Sequence, residues 1–386
     1  MSLPIEISEE SRYDRQERIS WWDQQVLAEA KILVVGAGAL GNEVVKNLVL
    51  MGVGSIVVID FDTVEMSNLA RCVLLRESDN GRSKAVAVAE RAGELNGAVE
   101  VVGIQADLRA LGTGLGRRAD VMVGALDNRE ARLHLNRLAW QASRPWVDGA
   151  IEGLHGVGRV FSPPDSCYEC TLTEEDFGAL AHRQSCRLLS PEDLVEGKVP
   201  TCVPTASIVA GVQAQEVVKL LHAGRPGVNP LCGAMVFDGV NNDAYPLRYP
   251  VDDDCLAHHP YVDPMVLERD DALTFERVAE SVGLPSGTVE LFDDLIIEWS
   301  CPSCETTSPA RSQVRTAGAG DARCPECDRY RQPATTTTIT PASPLWTQSI
   351  ESAGVCADDL LAIRSGSAYR YAWPKHALSD LPASWS

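Results

Sequence analysis

Residues 31–60 constrain the fold more than any other stretch of the chain. An apolar run over 31–35 enters the loop Gly36, Ala37, Gly38, Ala39, Leu40, Gly41, and a second apolar run over 56–59 ends in Asp60. This reads as strand, glycine turn, helix, strand. Glycines at such a turn let backbone N–H groups and a helix N-terminus face a phosphate, because no side chain blocks the approach and the helix dipole favours negative charge there. An acid about twenty residues beyond the loop is placed to hold a ribose hydroxyl, and Asp60 fits that place. The loop alone does not separate a dinucleotide from ATP.

Apolar runs alternate with amphipathic segments up to about residue 149, with strands near 55–60, 99–104, 120–126 and 145–148. That alternation predicts a mainly parallel, doubly wound α/β sheet. Shorter runs over 156–161 and 233–249, broken by Gly, Pro and Asn, suit antiparallel strands continuing the same sheet. A helix is predicted over 205–222 from Ile208, Val212, Glu216 and Leu220, and another through residue 30 at the start of the chain. After about residue 260 the character changes: a helix over 273–282, a strand over 291–299, a Thr- and Pro-rich stretch over 332–344 that reads as a linker, and a mixed tail. The expected division is 1–30, 31–260, 261–331 and 332–386.

With 386 residues, 45% of them hydrophobic, the chain can bury a large core in two or three domains. Lys and Arg number 34 against 54 Asp and Glu, a net charge of -20 that argues against nucleic acid and membrane surfaces as partners. The apolar run over 44–59 is too interrupted by Lys46, Asn47 and glycines to span a bilayer. Twelve cysteines, mostly in CxxC pairs, and a short acidic start without a leader point to a reducing, cytoplasmic setting.

Cys167 and Cys170 form one zinc-knuckle turn, and Cys255 with His258 offers a second pair at the same spacing, His259 being the alternative ligand. Cys301, Cys304, Cys324 and Cys327 make two CxxC turns about twenty residues apart, a zinc-ribbon pattern. Four protein ligands leave no open position on the metal, so both sites read as structural. Cys72, Cys232 and Cys356 are left as structural thiols.

Asp60 is followed by Asp62, Asn68, Arg71, Lys84 and, at a strand end, Asp127. Hydride transfer has no use for this set, whereas an ATP pocket needs cations against phosphate and a carboxylate for magnesium. RYDRQ, VVGAGALG, IDFDTVEMSNLAR, NGRSK, ALDN and CYEC, in this order over residues 11–260, resemble the adenylation domain of the ThiF family, the superfamily of ubiquitin-activating enzymes and sulfur-carrier adenylyltransferases.

The resemblance implies that Gly36, Gly38 and Gly41 line the phosphates of ATP and Asp60 holds its ribose. Asn68, Arg71 and Lys84 would contact the triphosphate, Asp127 would hold magnesium, and Arg15 would reach across a homodimer into the partner's site. It further implies adenylation of the C-terminal glycine of a ubiquitin-like or sulfur-carrier protein. Two cysteines compete for a following thioester step: Cys202, just before the 205–222 helix as in compact activating enzymes, and Cys186, which resembles the cysteine of the sulfur-carrier branch. A thioester at Cys202 would be passed to a conjugating enzyme. A sulfur-carrier adenylyltransferase without that step, and an inert ThiF-like scaffold, are the alternatives.

Overall fold

A computed structural model describes residues 11–176, 200–268, 272–318, 320–356, 358–376 and 380–385. The first unit is built on an eight-stranded sheet. In chain order its strands are β1 (Lys31–Val35), β2 (Ser55–Ile59), β3 (Glu100–Ile104), β4 (Val121–Gly124), β5 (Trp146–Glu152), β6 (His155–Phe161), β7 (Gly233–Asp238) and β8 (Asp243–Leu247). Their spatial order is β3-β2-β1-β4-β5-β6-β7-β8. Pairing is parallel from β3 to β5 and antiparallel from β5 to β8.

The continuous apolar runs of β1 and β2 follow from burial on both faces. Side chains alternate across the sheet, so Ile32, Val34, Ile56 and Val58 enter one core. Leu33, Val35, Val57 and Ile59 enter the other. The first core is closed by α2 (Ala39–Met51), α3 (Lys84–Leu95) and α6 (Val203–Leu221). The second is closed by α4 (Leu115–Arg118) and α5 (Arg129–Ala142). The helix expected through residue 30 shrinks to α1 (Gln24–Glu29). The chain before it runs in turns, because Asp23 caps α1 by accepting from the Gln25 N–H at 3.0 Å and so fixes where the helix begins. No described helix is long and apolar enough to cross a membrane.

The second unit is a six-stranded sheet of order β11-β10-β13-β14-β9, with β12 pairing to β10. Its strands are β9 (Met265–Glu268), β10 (Thr288–Ser300), β11 (Thr307–Gln313), β12 (Gln332–Ile339), β13 (Leu361–Ser365) and β14 (Ala368–Lys375), and α7 (Phe275–Ser281) packs against them. The Thr-rich stretch expected to be a linker is thus corrected to a strand. Four consecutive β-branched threonines suit a pleated surface, and Pro333 is tolerated near the start of a strand whose partner here is β10 alone.

The chain end is also integrated. Trp385 is 1% exposed inside the second core of the first unit and donates from Nε1 to Ser55 Oγ at 2.8 Å. The two units are further joined by a buried ion pair and a buried hydrogen bond. Arg118 meets Asp358 at 2.8 Å, and Asp359 accepts from the Thr113 N–H at 3.0 Å and from Arg315 at 2.7 Å.

Candidate functional site

Strand order reverses between β1 and β4, and the carboxyl ends of β2, β1 and β4 open there on a common edge, the place where ligands meet open α/β sheets. Gly36 leaves β1 with φ of +99°, and a Cβ there would lie 2.3 Å from the Ala125 carbonyl oxygen. A Cβ on Gly41 would lie 1.9 Å from the Gly36 carbonyl oxygen. These two glycines are therefore fixed by packing within the loop. Gly38 differs: nothing lies within 4 Å of a Cβ built on it, so this glycine borders open space. It is the N-cap of α2 and supplies no side-chain cap, leaving the orphan N–H groups of the first turn for an incoming anion.

Asp60 stands against this loop. Its Oδ2 accepts from the Ala37 N–H at 2.7 Å and its Oδ1 from the Asp62 N–H at 2.8 Å. Burial raises its carboxyl above the usual range, with both N–H groups opposing the shift. Lys84, the first residue of α3, pairs with Asp62 at 2.7 Å and is 12% exposed. Arg71 donates from Nη1 to the Ser67 carbonyl at 2.8 Å. Asn68 is buried, and its Oδ1 accepts from the Glu65 N–H at 2.9 Å, which closes the short turn that carries Arg71. The Cys72 thiol feels Arg71, Lys84 and Asp60 together, so these groups share one neighbourhood; burial pushes that thiol up to about 11.

Asp127 follows β4, is exposed, and directly precedes Asn128, whose Oδ1 accepts from the Ala131 N–H at 2.8 Å to cap α5. Arg15 is exposed in the turns before α1, and among the described residues no acid pairs with it. The structure therefore gathers the loop, Asp60, Arg71 and Lys84, sets Asp127 on the same edge, and leaves Arg15 outside that group.

Two supports escaped the sequence reading. Asn42 donates from Nδ2 to the Ala37 carbonyl at 2.7 Å and accepts from the Leu74 N–H at 3.0 Å, clamping the glycine loop to the segment that carries Arg71. Asp148, fully buried within β5 beside Gly124 at the end of β4, is held by Arg132 at 2.9 Å and Arg159 at 2.6 Å, and Arg132 also donates to the Leu126 carbonyl next to Asp127. An asparagine inside an apolar helix was the available signal for the first. For the second there was none, since its partners are far apart in sequence.

Cys202 is half-buried and is the N-cap of the 19-residue α6, in extended conformation, two residues before Pro204. Its segment is strapped to the turn between β5 and β6. The Gly153 N–H donates to the Pro200 carbonyl at 2.8 Å, and Thr205 Oγ1 donates to the Gly153 carbonyl at 3.1 Å. Cys186 lies outside the described residues.

Both metal clusters assemble. Cys167 Sγ lies 3.7 Å from Cys170 Sγ and 3.6 Å from Cys255 Sγ, and Cys170 Sγ lies 3.4 Å from His258 Nε2. Cys301 and Cys327 are 3.5 Å apart, Cys304 and Cys324 3.6 Å. All four donors of each set fall within 4.8 Å of one another. Zn–S bonds of about 2.3 Å in a tetrahedron separate sulfurs by about 3.8 Å, so both sets fit zinc. His258, stacked on Trp140 at 4.0 Å, joins the first cluster, and His259 does not. Burial lowers the His258 pKa, which favours the neutral ring a metal requires. Among the remaining cysteines, Cys72 is buried, whereas Cys232, in the residue before β7, is exposed.

Residues 13–257 match the family model described as the ThiF family. The chain is 32% identical over 222 residues to the adenylyltransferase and sulfurtransferase MOCS3-2 of Zea mays, covering 56% of this chain and 43% of that protein. It is 32% identical over 235 residues to the SAMP-activating enzyme E1 of Haloferax volcanii, covering 57% of this chain and 79% of that protein. The chain spans less than half the length of the first curated relatives it matches. Among solved structures, E. coli MccB with ATP aligns at a TM-score of 0.54 and 22% identity, over 66% of this chain and 75% of that one, which is a likeness of fold.

Proposed function

Since the chain belongs to the ThiF family, we propose that it is an adenylyltransferase that uses ATP to activate the C-terminal glycine of a ubiquitin-like or sulfur-carrier protein. The observation that carries this reading is the open Gly38 edge of the phosphate loop, with Asp60, Arg71 and Lys84 gathered beside it. A carboxylate is a poor electrophile. Its oxygen attacks the α-phosphorus of ATP, the bond to the β-phosphate oxygen breaks, and pyrophosphate leaves with the acyl adenylate formed. Charge builds on the phosphates during this step, and cations fixed beforehand stabilise it without reorganisation.

In this reading Lys84 exchanges Asp62 for phosphate, Arg71 meets the same group, Asn68 holds the turn between them, and Asp60 orients the ribose while keeping the loop in shape. Asp127 would hold magnesium, which neutralises phosphate charge when bound. Carrier-dependent exchange of labelled pyrophosphate into ATP tests the whole. Lys84→Ala is expected to lower the exchange rate about 100-fold or more, and no exchange with any glycine-ending carrier would leave the inert-scaffold reading standing.

We further propose a homodimer in which Arg15 completes the partner's site. Arg15→Ala and Asp127→Ala chains, each inactive alone, are then expected to regain exchange when mixed, since the mixed dimer holds one intact site. Failure of a stable mixed dimer to regain activity would place Arg15 elsewhere.

The thioester step is assigned to Cys202. Its sulfur attacks the acyl carbon, AMP leaves, and the thioester passes to the cysteine of a conjugating enzyme. Cys202 stands half-buried at the N-terminal end of α6, on the segment strapped to the β5–β6 turn. The similarity to the adenylyltransferase and sulfurtransferase of Zea mays supports a second reading, a sulfur-carrier adenylyltransferase that stops at the acyl adenylate.

A further inference from the structure

At the opposite edge of the same sheet, one β1 length from the phosphate loop, lies a cavity of about 770 Å3 bounded by both structural units. Lys31 opens β1, Arg117 stands on α4 just before β4, Arg144 lies in the turn entering β5, and Lys375 ends β14. The partners of these cations are mostly neutral. Lys31 Nζ donates to the Ser384 carbonyl, and Arg117 Nη1 donates to the Tyr261 carbonyl at 3.2 Å. Lys375 sits 5.4 Å from the Trp373 ring, and among the described residues no acid pairs with Arg144.

The wall also carries two carboxylates, each bonded to a neutral donor and neither paired with these four cations. Asp120 accepts from the Lys31 backbone N–H at 2.9 Å, and Glu29 from the Gln25 amide at 2.8 Å. Arg118 also lines the cavity, but its charge is matched by Asp358. Arg117 and Arg144 repel each other: burial and the Arg144 charge both lower the Arg117 pKa, with Asp263 the one acid opposing them. Two like charges held together carry a repulsion that a bound anion relieves.

We propose that this cavity binds a small polyphosphorylated anion, held by Arg117, Arg144, Lys31 and Lys375. Its volume falls within the usual range for small-molecule sites and exceeds what one phosphate fills. Arginine forks meet phosphate oxygens in pairs, which a lysine ammonium cannot do. Because Lys375 stands on the second unit and the other three cations on the first, an occupant would tie the two together. The site is independent of the adenylation reading, since it shares no residue with the phosphate loop.

The test uses the full chain carrying Arg71→Ala and Lys84→Ala, which strips the other phosphate site of its cations. Titration calorimetry with inorganic tripolyphosphate at constant ionic strength is expected to show saturable binding to one site and a raised melting temperature. Adding Arg117→Gln and Arg144→Gln is expected to weaken that binding tenfold or more. Because Arg117 also holds the Tyr261 carbonyl, Arg144→Gln and Lys375→Gln are measured singly, with circular dichroism confirming the fold, and each is expected to weaken binding. An ADP titration separates the sources: ADP tighter than tripolyphosphate assigns a nucleotide, and the reverse assigns a polyphosphate without a base. Absence of saturable binding, equal binding of sulfate, or affinity unchanged by the arginine substitutions overturns the proposal.

Discussion

Cys202→Ala is expected to abolish the reducing-agent-sensitive adduct between this chain and its carrier while carrier-dependent pyrophosphate exchange continues. In the proposed function the adenylate forms at the phosphate loop and the thioester needs the sulfur at the head of α6, so the two readouts separate. Cys202→Ser sharpens the result. A serine ester formed in the same place would resist thiols, and its persistence on a reducing gel would mark residue 202 as the acceptor. Three features position this sulfur: the Gly153–Pro200 hydrogen bond, the Thr205 hydroxyl on the Gly153 carbonyl, and Pro204 at the first turn, where a missing N–H costs nothing. If Cys202→Ala still forms the adduct and Cys186→Ala does not, the acceptor is Cys186. If neither substitution matters because no adduct forms, the chain stops at the adenylate, as the sulfur-carrier reading requires.

Zinc removal is expected to have the second large effect. The purified chain should hold two zinc ions, with Cys170→Ser and Cys304→Ser each lowering the content to one by elemental analysis. Structural zinc contributes on the order of 10 kcal/mol in small zinc domains. The second cluster lies between the ends of β10, β11 and β12, and the sheet around it offers a modest core of Ile296, Trp299 and Ala322. Cys304→Ser is therefore expected to lower the melting midpoint of that unit by about 10 °C or more, since 1 kcal/mol moves the midpoint of a 60–100-residue unit by about 4–8 °C. Cys170→Ser acts elsewhere. It loosens the clamp that carries Trp140 and the turn after β6, and should leave melting of the second unit unchanged. A zinc content of one in the unmodified chain would remove one of the two sites.

Local patterns made much of this legible. The parallel strands were readable because burial on both faces writes an unbroken apolar run, and the glycine loop because Gly36 and Gly41 admit no side chain. The CxxC turns were readable because each places two thiols on one small turn. The strand β12 was misread, since threonine serves an extended linker and a half-exposed strand equally well, and only pairing with β10 separates them. The burial of Trp385 was not readable at all: its contact with Ser55 spans 330 residues.

The division follows the range of the interaction. The sequence by itself determined the strand-turn-helix phosphate loop, the acid after the second strand, the cysteine pairs of both candidate zinc clusters and the family, because each is carried by residues near one another in the chain or by a fixed order of motifs. Tertiary structure alone decided that Lys84 rests on Asp62, that Asn42 clamps the loop, and that His258 rather than His259 joins the thiols. It also turned the tail into part of a second sheet and set four cations around a cavity at the far edge of the first. These choices depend on which distant groups meet once the cores close, and no local pattern encodes that.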